Sequence, residues 1–207
     1  MIKQSDSLRL DDTFKNKIRV FDKETGKFLF ERDNLVTQSG RIFTMESITN
    51  TLAPTTTNTT NRRQLLYFTI GHGGVNAGEP DQPIAPTSDN TDASMLATQV
   101  AFTTANSGGQ YCNLSDGNYY GKYFEVLSNA NSWSIDSGQN KVTHILSMIV
   151  SPTDARGEAI SEIGIHFGYR SGGGSVVSDS GLFSRITFAS KYLLGNNSFE
   201  ILYYIYA

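Results

Sequence analysis

Apolar and polar residues alternate in the first strongly patterned stretch of the chain, KIRVFDKETGKFLFERDN. Ile18 and Val20 lie on either side of Arg19, and a second alternating run begins at Phe28. A period of two residues places the apolar side chains on one face of a β-strand. Between the two runs, ETGK supplies Gly26, which can adopt a positive φ at little steric cost. The pattern therefore predicts a β-hairpin.

The spacing changes in the next stretch, NLVTQSGRIFTMESITNTL. Ile42, Met45, Ile48 and Leu52 recur at intervals of three or four residues, which predicts one apolar stripe along an α-helix. Ser39 precedes this run and is a candidate N-cap, because its hydroxyl can accept a hydrogen bond from a free amide of the first turn. No other stretch of the sequence predicts a helix.

Most of the remaining chain has the pattern of β-strands. LLYFTIG, from Leu65 to Gly71, is too apolar for simple alternation and predicts a central strand covered on both faces. Clusters of Gly, Asn, Ser and Asp separate six further apolar runs: MLATQVAFTT, YYGKYFEVLS, NKVTHILSMIV, SEIGIHFG, RITFAS and SFEILYYIY. Residues 1–207 are therefore expected to form one mainly β domain, an antiparallel β-sandwich or barrel-like domain with one short helix and long loops.

Two segments predict loops. PTTTNTTN (54–61) is uncharged and has no apolar anchor, which is typical of a mobile loop. Residues 71–94 are rich in Pro and Gly, and loops of this length inside a compact domain are usually functional. Pro80, Pro83 and Pro86 favour an extended path without amide donors, able to lie across a neighbouring subunit. We therefore predict a possible inter-subunit arm in this segment.

The chain closes on FEILYYIYA, which is apolar on both faces of a strand. Burying one such side chain contributes roughly 1.5–3 kcal/mol, so both faces are expected to be covered. Tyr203, Tyr204 and Tyr206 also carry hydroxyl groups that need partners, a mixture common at protein interfaces. Our hypothesis is a strand at the centre of its sheet, with its tyrosine side near a subunit contact. The alternative is a strand that lies entirely within the core of one chain.

Composition and charge narrow the function classes. Of 207 residues, 38% are hydrophobic and 18% are charged, with a net charge of −3, so the chain lacks the basic surface expected of a nucleic-acid-binding protein. No apolar run approaches the ~20 residues that a membrane helix needs, and the charged beginning does not resemble a secretory signal. Residues 71–140 carry seven acidic residues and one lysine, which indicates either a solvated face or a patch that docks on a basic partner.

The residue types that carry chemistry are sparse and scattered. The single cysteine, Cys112, fits a reducing compartment and has no neighbouring base to activate it. His72, His144 and His166 fall on a loop and two separate strands, without the spacing of a metal site. The glycine-rich IGHGGVNAG is not followed by the Lys-Ser/Thr of a phosphate-binding loop. We therefore predict no catalytic, cofactor-binding or metal site, and no cofactor.

Three patches of the sequence together resemble small virion structural proteins of tailed bacteriophages. The patches are FDKETGKFLFERDNLVTQSGR, YFTIGHGGVNAGEPDQPIAPTSDNTDASML and GLFSRITFASKYLLGNNSFEILYYIYA. The matching motifs lie at 34–41 (N-L-V-x-x-S-G-R), 71–73 (a G-x-G turn), 85–92 (A-P-T and Asp) and 183–188 (F-S-R-φ-T-F). The chain departs from the pattern by inserting NAGEPDQP after the glycine turn, so this loop can make a contact that is specific to this chain.

The resemblance implies a non-enzymatic structural component of the virion, assembled in the host cytoplasm from copies of itself and other virion proteins. The tail, baseplate or neck is the leading position, and capsid decoration or head-fibre attachment is the alternative. A carbohydrate-binding module, with Trp133 and loop tyrosines as its platform, is an alternative of another class. A single Trp within NSWSID is also typical of a packed strand residue. A small-molecule ligand is not expected, whereas a glycan is possible.

Overall fold

A computed structural model describes residues 16–49, 63–84, 99–102, 110–113, 119–125, 133–138, 141–155, 157–170, 177–190 and 197–206. The strands are β1 (Lys17–Asp22), β2 (Phe28–Asp33), β3 (Leu35–Val36), β4 (Gln64–Gly71), β5 (Val75–Asn76), β6 (Glu79–Pro83), β7 (Tyr111–Asn113), β8 (Tyr119–Tyr123), β9 (Trp133–Asp136), β10 (Lys141–Val150), β11 (Glu162–Arg170), β12 (Val177–Thr187) and β13 (Phe199–Tyr206). The described helices are α1 (Gln38–Thr49) and the short α2 (Pro152–Ala155).

The strands form two antiparallel sheets that pack face to face. The first sheet has the order β2-β1-β13-β10-β9, and the second has the order β3-β12-β11-β4-β8-β7. β5 and β6 pair separately as a small hairpin. The prediction of a mainly β, antiparallel, sandwich-like fold is confirmed, with a second short helix that the sequence did not predict.

The core lies between the two sheets. Ring pairs join them, such as Phe30 of β2 with Phe188, whose centroids are 5.1 Å apart, and Phe68 of β4 packs edge-on against Phe102 at 5.7 Å. The largest fully buried apolar side chains also include Ile18, Ile70, Met148, Ile160, Ile163, Ile165 and Phe199. Each such side chain contributes roughly 1.5–3 kcal/mol by leaving water.

The predicted hairpin is β1–β2, with Gly26 at φ 67°. The carboxylate of Asp22 accepts hydrogen bonds from the backbone amide of Thr25 at 2.8 Å and from its hydroxyl at 2.7 Å. These bonds organise the turn locally, which is why the residue alternation alone was sufficient to predict it.

Two predictions of central strands are confirmed. β4 lies between β11 and β8, and it buries Phe68 towards the first sheet and Tyr67 on the opposite face. β13 lies between β1 and β10, and its Phe199 and Ile201 are buried in the core. β13 pairs with both neighbours along most of its length, whereas β4 pairs along most of its length with β11 and at two positions, Tyr67 and Phe68, with β8.

The helix α1 begins earlier than predicted. Thr37, not Ser39, is the N-cap: its hydroxyl accepts a hydrogen bond from the Gly40 amide at 3.0 Å and donates to the carbonyl of Leu182 in β12. A Cβ added at Gly40 would collide with the Phe183 carbonyl oxygen. The helix therefore starts where the chain can be bonded to β12 at close range, and Ser39 lies inside its first turn.

The predicted apolar stripe of α1 is wrong. Ile42 and Met45 are 52% and 44% exposed, whereas Phe43 is buried. The Phe43 ring stacks on Phe167 with centroids 4.7 Å apart and planes 7° apart. Among the side chains of the helix that the structure describes, Phe43 makes the buried aromatic contacts, and Gly40 allows the close approach to β12. The side chain of Ile48, residue Leu52 and the segment 54–61 lie outside the described residues.

Candidate protein–protein interface

The outer face of the first sheet carries a compact set of aromatic and charged side chains. Alternation along β13 directs Tyr204 and Tyr206 away from the core, while β1 and β2 place three charged residues beside them. We name this set the tyrosine face; it consists of Lys17, Arg19, Glu31, Tyr204 and Tyr206, all partly exposed.

The side chains of the tyrosine face hold one another in place. Glu31 accepts hydrogen bonds from Lys17 at 2.8 Å and from Arg19 at 2.7 Å. The Arg19 guanidinium lies over the Tyr204 ring, 4.9 Å from its centroid, and the rings of Tyr204 and Tyr206 stack at 6.2 Å with planes 15° apart. Hydrogen bonds from Lys17 and then Arg19 hold the pKa of Glu31 below its ordinary value. The face is therefore ordered before any partner binds.

Tyr203, which the sequence grouped with the other two tyrosines, is a core residue. It is fully buried on the opposite face of β13. Its hydroxyl accepts hydrogen bonds from the side-chain amides of Asn16 at 3.0 Å and Asn34 at 2.6 Å, and lies 3.4 Å from the Ser184 hydroxyl. These partners satisfy the hydroxyl within the chain, and burial raises the pKa of Tyr203.

Part of the predicted inter-subunit arm is a short hairpin. Residues 75–84, which we name the proline hairpin, contain β5, a turn with Gly78 at φ 83°, and β6. Residues 76–84 are all exposed, including Pro80 and Pro83, and Pro86 lies outside the described residues. The Ser190 hydroxyl donates to the Pro80 carbonyl at 3.2 Å, which attaches the hairpin to the domain.

A buried ion pair fixes the base of the proline hairpin. The carboxylate of Glu162 is fully buried and accepts a hydrogen bond from Arg185 Nε at 2.9 Å and from the Gly73 amide at 3.2 Å. Arg185 also donates to the Gly73 carbonyl at 3.3 Å, and the Gly74 amide donates to the Ser161 hydroxyl at 2.9 Å. The glycine turn is thus joined to β11 and β12.

Three of the sequence motifs that carry the phage resemblance meet at β12. The 34–41 motif reaches it through Thr37, whose amide donates to the Phe183 carbonyl at 2.9 Å. The 71–73 turn reaches it through Arg185, and residues 183–188 belong to β12 and its continuation. The motif at 85–92 lies outside the described residues. In the described part of the chain these motifs build the domain and support the hairpin.

The three histidines lie apart from one another. His72 is exposed and 3.7 Å from Glu158, and His144 is partly buried in β10. His166 is fully buried, stacked on Tyr67 and 2.9 Å from the Thr69 hydroxyl, and burial lowers its pKa to about 3. Within the described residues, no group of three or more His, Cys, Asp and Glu side chains is arranged to hold a metal ion.

A second buried ion pair was not apparent from the sequence. Lys122 of β8 donates to Asp154 of α2 at 2.9 Å, and the Tyr111 hydroxyl donates to the same carboxylate at 2.6 Å. Burial by itself would raise the pKa of Asp154, but these hydrogen bonds and one from the Ser151 amide outweigh it and lower the pKa. The polar segments YCN and YGKY contain no pattern that indicates this ion pair, because Asp154 lies 32 residues from Lys122 in the sequence.

Two further candidate residues from the sequence are Cys112 and Trp133. Cys112 is buried beside Tyr67 and Tyr123. Trp133 begins β9 in register with His144, and its side chain is outside the description. In the part of the chain that the structure describes, no helix is long and apolar enough to cross a lipid bilayer.

Comparison with protein-family models, with curated proteins and with solved structures gives no match to this chain. The assignment of function therefore depends on the residues of the chain and on the surfaces described above.

Proposed function

We propose that this protein is a non-enzymatic structural component of a tailed-bacteriophage virion, located in the tail, baseplate or neck. Its partners are further copies of the chain and other virion proteins, with assembly in the host cytoplasm. Support comes from the sequence motifs that resemble small phage structural proteins. Three of these motifs lie together around β12 in the described fold, where they hold the helix and the proline hairpin.

The tyrosine face is the observation that carries the proposal. Stacked Tyr204 and Tyr206, with Arg19 over one ring, form a partly exposed and internally braced surface. Tyr and Arg are enriched at protein interfaces because they combine apolar contact area with hydrogen-bonding groups. A surface held in one conformation loses less entropy on binding. This composition fits contact with a protein surface.

The direct test is to locate the chain in purified particles. Peptide mass spectrometry should detect it at a constant stoichiometry, and a density map of the intact particle should hold the sandwich at a symmetric position. Density at the tail, baseplate or neck supports the leading proposal, and density on the head supports the decoration or head-fibre alternative. Absence from particles, or turnover of a substrate by the isolated protein, would overturn the proposal.

A glycan array separates the carbohydrate-binding alternative. Binding that is abolished by Trp133→Ala, in a variant that keeps the wild-type circular dichroism spectrum, would favour a receptor-binding module. Under the structural proposal, the wild-type protein binds no glycan on the array.

A further inference from the structure

We propose that the proline hairpin of one subunit docks on the tyrosine face of the next copy of the same chain. The inference deepens the proposed function and rests on it. It assigns the two surfaces to each other, so that every subunit makes two unlike contacts with its neighbours.

The proline hairpin is exposed along its length and fixed at its base, which suits it to dock on the surface of another subunit. Residues 76–84 form an exposed run, yet its base is fixed: the Ile84 amide donates to the Gly74 carbonyl at 2.8 Å, and the Thr187 hydroxyl donates to the Ile84 carbonyl at 2.6 Å. A preorganised loop loses little conformational entropy on binding. Pro80 and Pro83 have no amide hydrogens, so the hairpin contacts a partner through rings and side chains more readily than by strand addition.

The tyrosine face has the chemistry that receives proline. Proline-containing segments dock on surfaces lined with aromatic side chains, where their rigid rings pack against the aromatic faces. Tyr204 and Tyr206 provide two nearly parallel rings on an ordered strand. Their hydroxyl groups can also bond the carbonyl groups of an extended segment.

The charges of the two surfaces are complementary. The tyrosine face has two cations, Lys17 and Arg19, for its one carboxylate. Lys17 also lies 3.6 Å from Asp33, but that side chain is 81% exposed, and water weakens the pair. The described hairpin contains no Lys or Arg and carries two exposed acids, Glu79 and Asp81. Opposite charges of this kind steer two surfaces together and fix their register.

The two surfaces lie towards opposite ends of the sandwich. Ser184 of β12 lies beside Tyr203 of β13. Just beyond the end of β12, Phe188 packs on Phe30, and Phe30 is level with Ile201 of β13 through the pairing of β2, β1 and β13. Because Ile201 precedes Tyr203, β12 runs towards the hairpin in the direction opposite to that in which β13 runs towards Tyr206. One copy therefore presents the hairpin and the tyrosine face at different places. Contacts between unlike surfaces generate rings or stacks of subunits.

Two charge-reversed variants test the contact. The first reverses the hairpin with Glu79→Lys and Asp81→Lys. The second reverses the tyrosine face with Lys17→Glu, Arg19→Glu and Glu31→Lys, which preserves the pairing of opposite charges within the face. Sedimentation velocity from about 10 μM to about 1 mM covers the affinities of small protein contacts. We expect wild-type protein to associate as its concentration rises, and each variant alone to remain monomeric.

Mixing the two variants is the decisive measurement. The reversed hairpin of the first fits the reversed face of the second, and the unchanged hairpin of the second fits the unchanged face of the first. An equimolar mixture should therefore recover association, with strict alternation of the two chains by native mass spectrometry. A contact between two identical tyrosine faces would instead let the hairpin variant associate on its own, because that variant leaves the face unchanged.

Controls separate the contact from folding and from bulk charge. Glu24→Lys with Glu158→Lys changes the net charge as much as the hairpin variant does, at exposed positions outside both surfaces, and should leave association unchanged. Circular dichroism and thermal unfolding confirm that each variant is folded. Wild-type protein that stays monomeric to about 1 mM, or a mixture that fails to associate, would overturn the inference. Detection of the chain in particles would still support the proposed function, so the two failures are distinguishable.

Discussion

Lys122 and Asp154 form an ion pair inside the domain, with 2.9 Å between the ammonium nitrogen and a carboxylate oxygen. The Asp154 side chain is fully buried and that of Lys122 is 7% exposed. Lys122 also donates to the Ile149 carbonyl at 2.9 Å, so the pair ties β8 of the second sheet to the end of β10 in the first. It therefore links the two layers of the sandwich through polar contacts inside the domain.

Removing one member of this pair should be strongly destabilising. Lys122→Met leaves the Asp154 carboxylate buried without its counter-ion, which typically costs about 3–5 kcal/mol of unfolding free energy. Urea unfolding measures the loss. The double variant Lys122→Met/Asp154→Leu removes both charges and should lose less stability than the single variant. Lys27→Met, at an exposed position, should change little, and a single variant as stable as this control would contradict the buried pair.

His166 predicts an acid-sensitive fold. Its pKa falls from an ordinary 6.5 to about 3 in the folded chain, so between these values the unfolded chain binds more protons than the folded chain. Stability contributed by the neutral ring is complete above pH 6.5 and decreases as pH falls, by at most about 1.4 kcal/mol per pH unit. Chemical unfolding between pH 6.5 and 5.5 measures this slope above the range in which most carboxylates titrate.

Variants at two histidines test which residue causes this dependence of the unfolding free energy on pH. His166→Asn should flatten it, because the buried titrating group is gone. His144, whose pKa burial also lowers, is only partly buried, so His144→Asn should keep most of the slope. An unchanged slope in His166→Asn would show that other groups cause the acid sensitivity.

Gly40 should not tolerate a side chain. A Cβ at this position would clash with the backbone carbonyl oxygen of Phe183 in β12. The backbone of β12 would have to shift to relieve the clash. Gly40→Ala should therefore cost roughly 1–3 kcal/mol, although alanine favours helices. Gly138→Ala is the matched control, since its nearest neighbour is the Asp136 carboxylate at an ordinary 3.4 Å. Equal thermal stability of the two variants would exclude the close approach of α1 to β12.

Tyr203 and Tyr204 should respond differently to loss of the hydroxyl. Tyr203→Phe leaves the amide donors of Asn16 and Asn34 without their buried acceptor, which costs about 1–3 kcal/mol. Tyr204→Phe keeps the ring under Arg19 and should leave the free energy of unfolding nearly unchanged. Denaturant titration of both variants makes the comparison, and the reverse order would contradict the assignment of Tyr203 to the core.

Local patterns were sufficient for the longer strands, and insufficient for the short strands β5 and β6 and for the contacts between distant residues. The β1–β2 hairpin and the central positions of β4 and β13 follow from alternation and from continuous apolar runs. The start of α1 did not follow, because Thr37 is selected by carbonyl groups of β12 almost 150 residues away. The local spacing of residues around Thr37 cannot indicate a hydrogen-bond partner so far away in the sequence.

At the candidate surfaces, too, the sequence indicated local features but not the contacts that depend on the fold. Alternation along β13 places Tyr203 and Tyr204 on opposite sides of the strand, yet their shared residue type suggested a common role for both. The ion pair between Glu162 and Arg185 was missed, since a charged residue within a strand is usually solvated and only the fold reveals its burial.

The place of β13 at the middle of the first sheet constrains the order of events during biosynthesis. Its neighbour β1 is made some 180 residues earlier, and the two pair along six positions. Until translation has passed Tyr206, the β1–β2 hairpin lacks the strand that joins it to β10. Such pairing of remote segments is intrinsically slow. The nascent β1–β2 hairpin therefore exposes its apolar face while the roughly 180 residues that lead to β13 are synthesised.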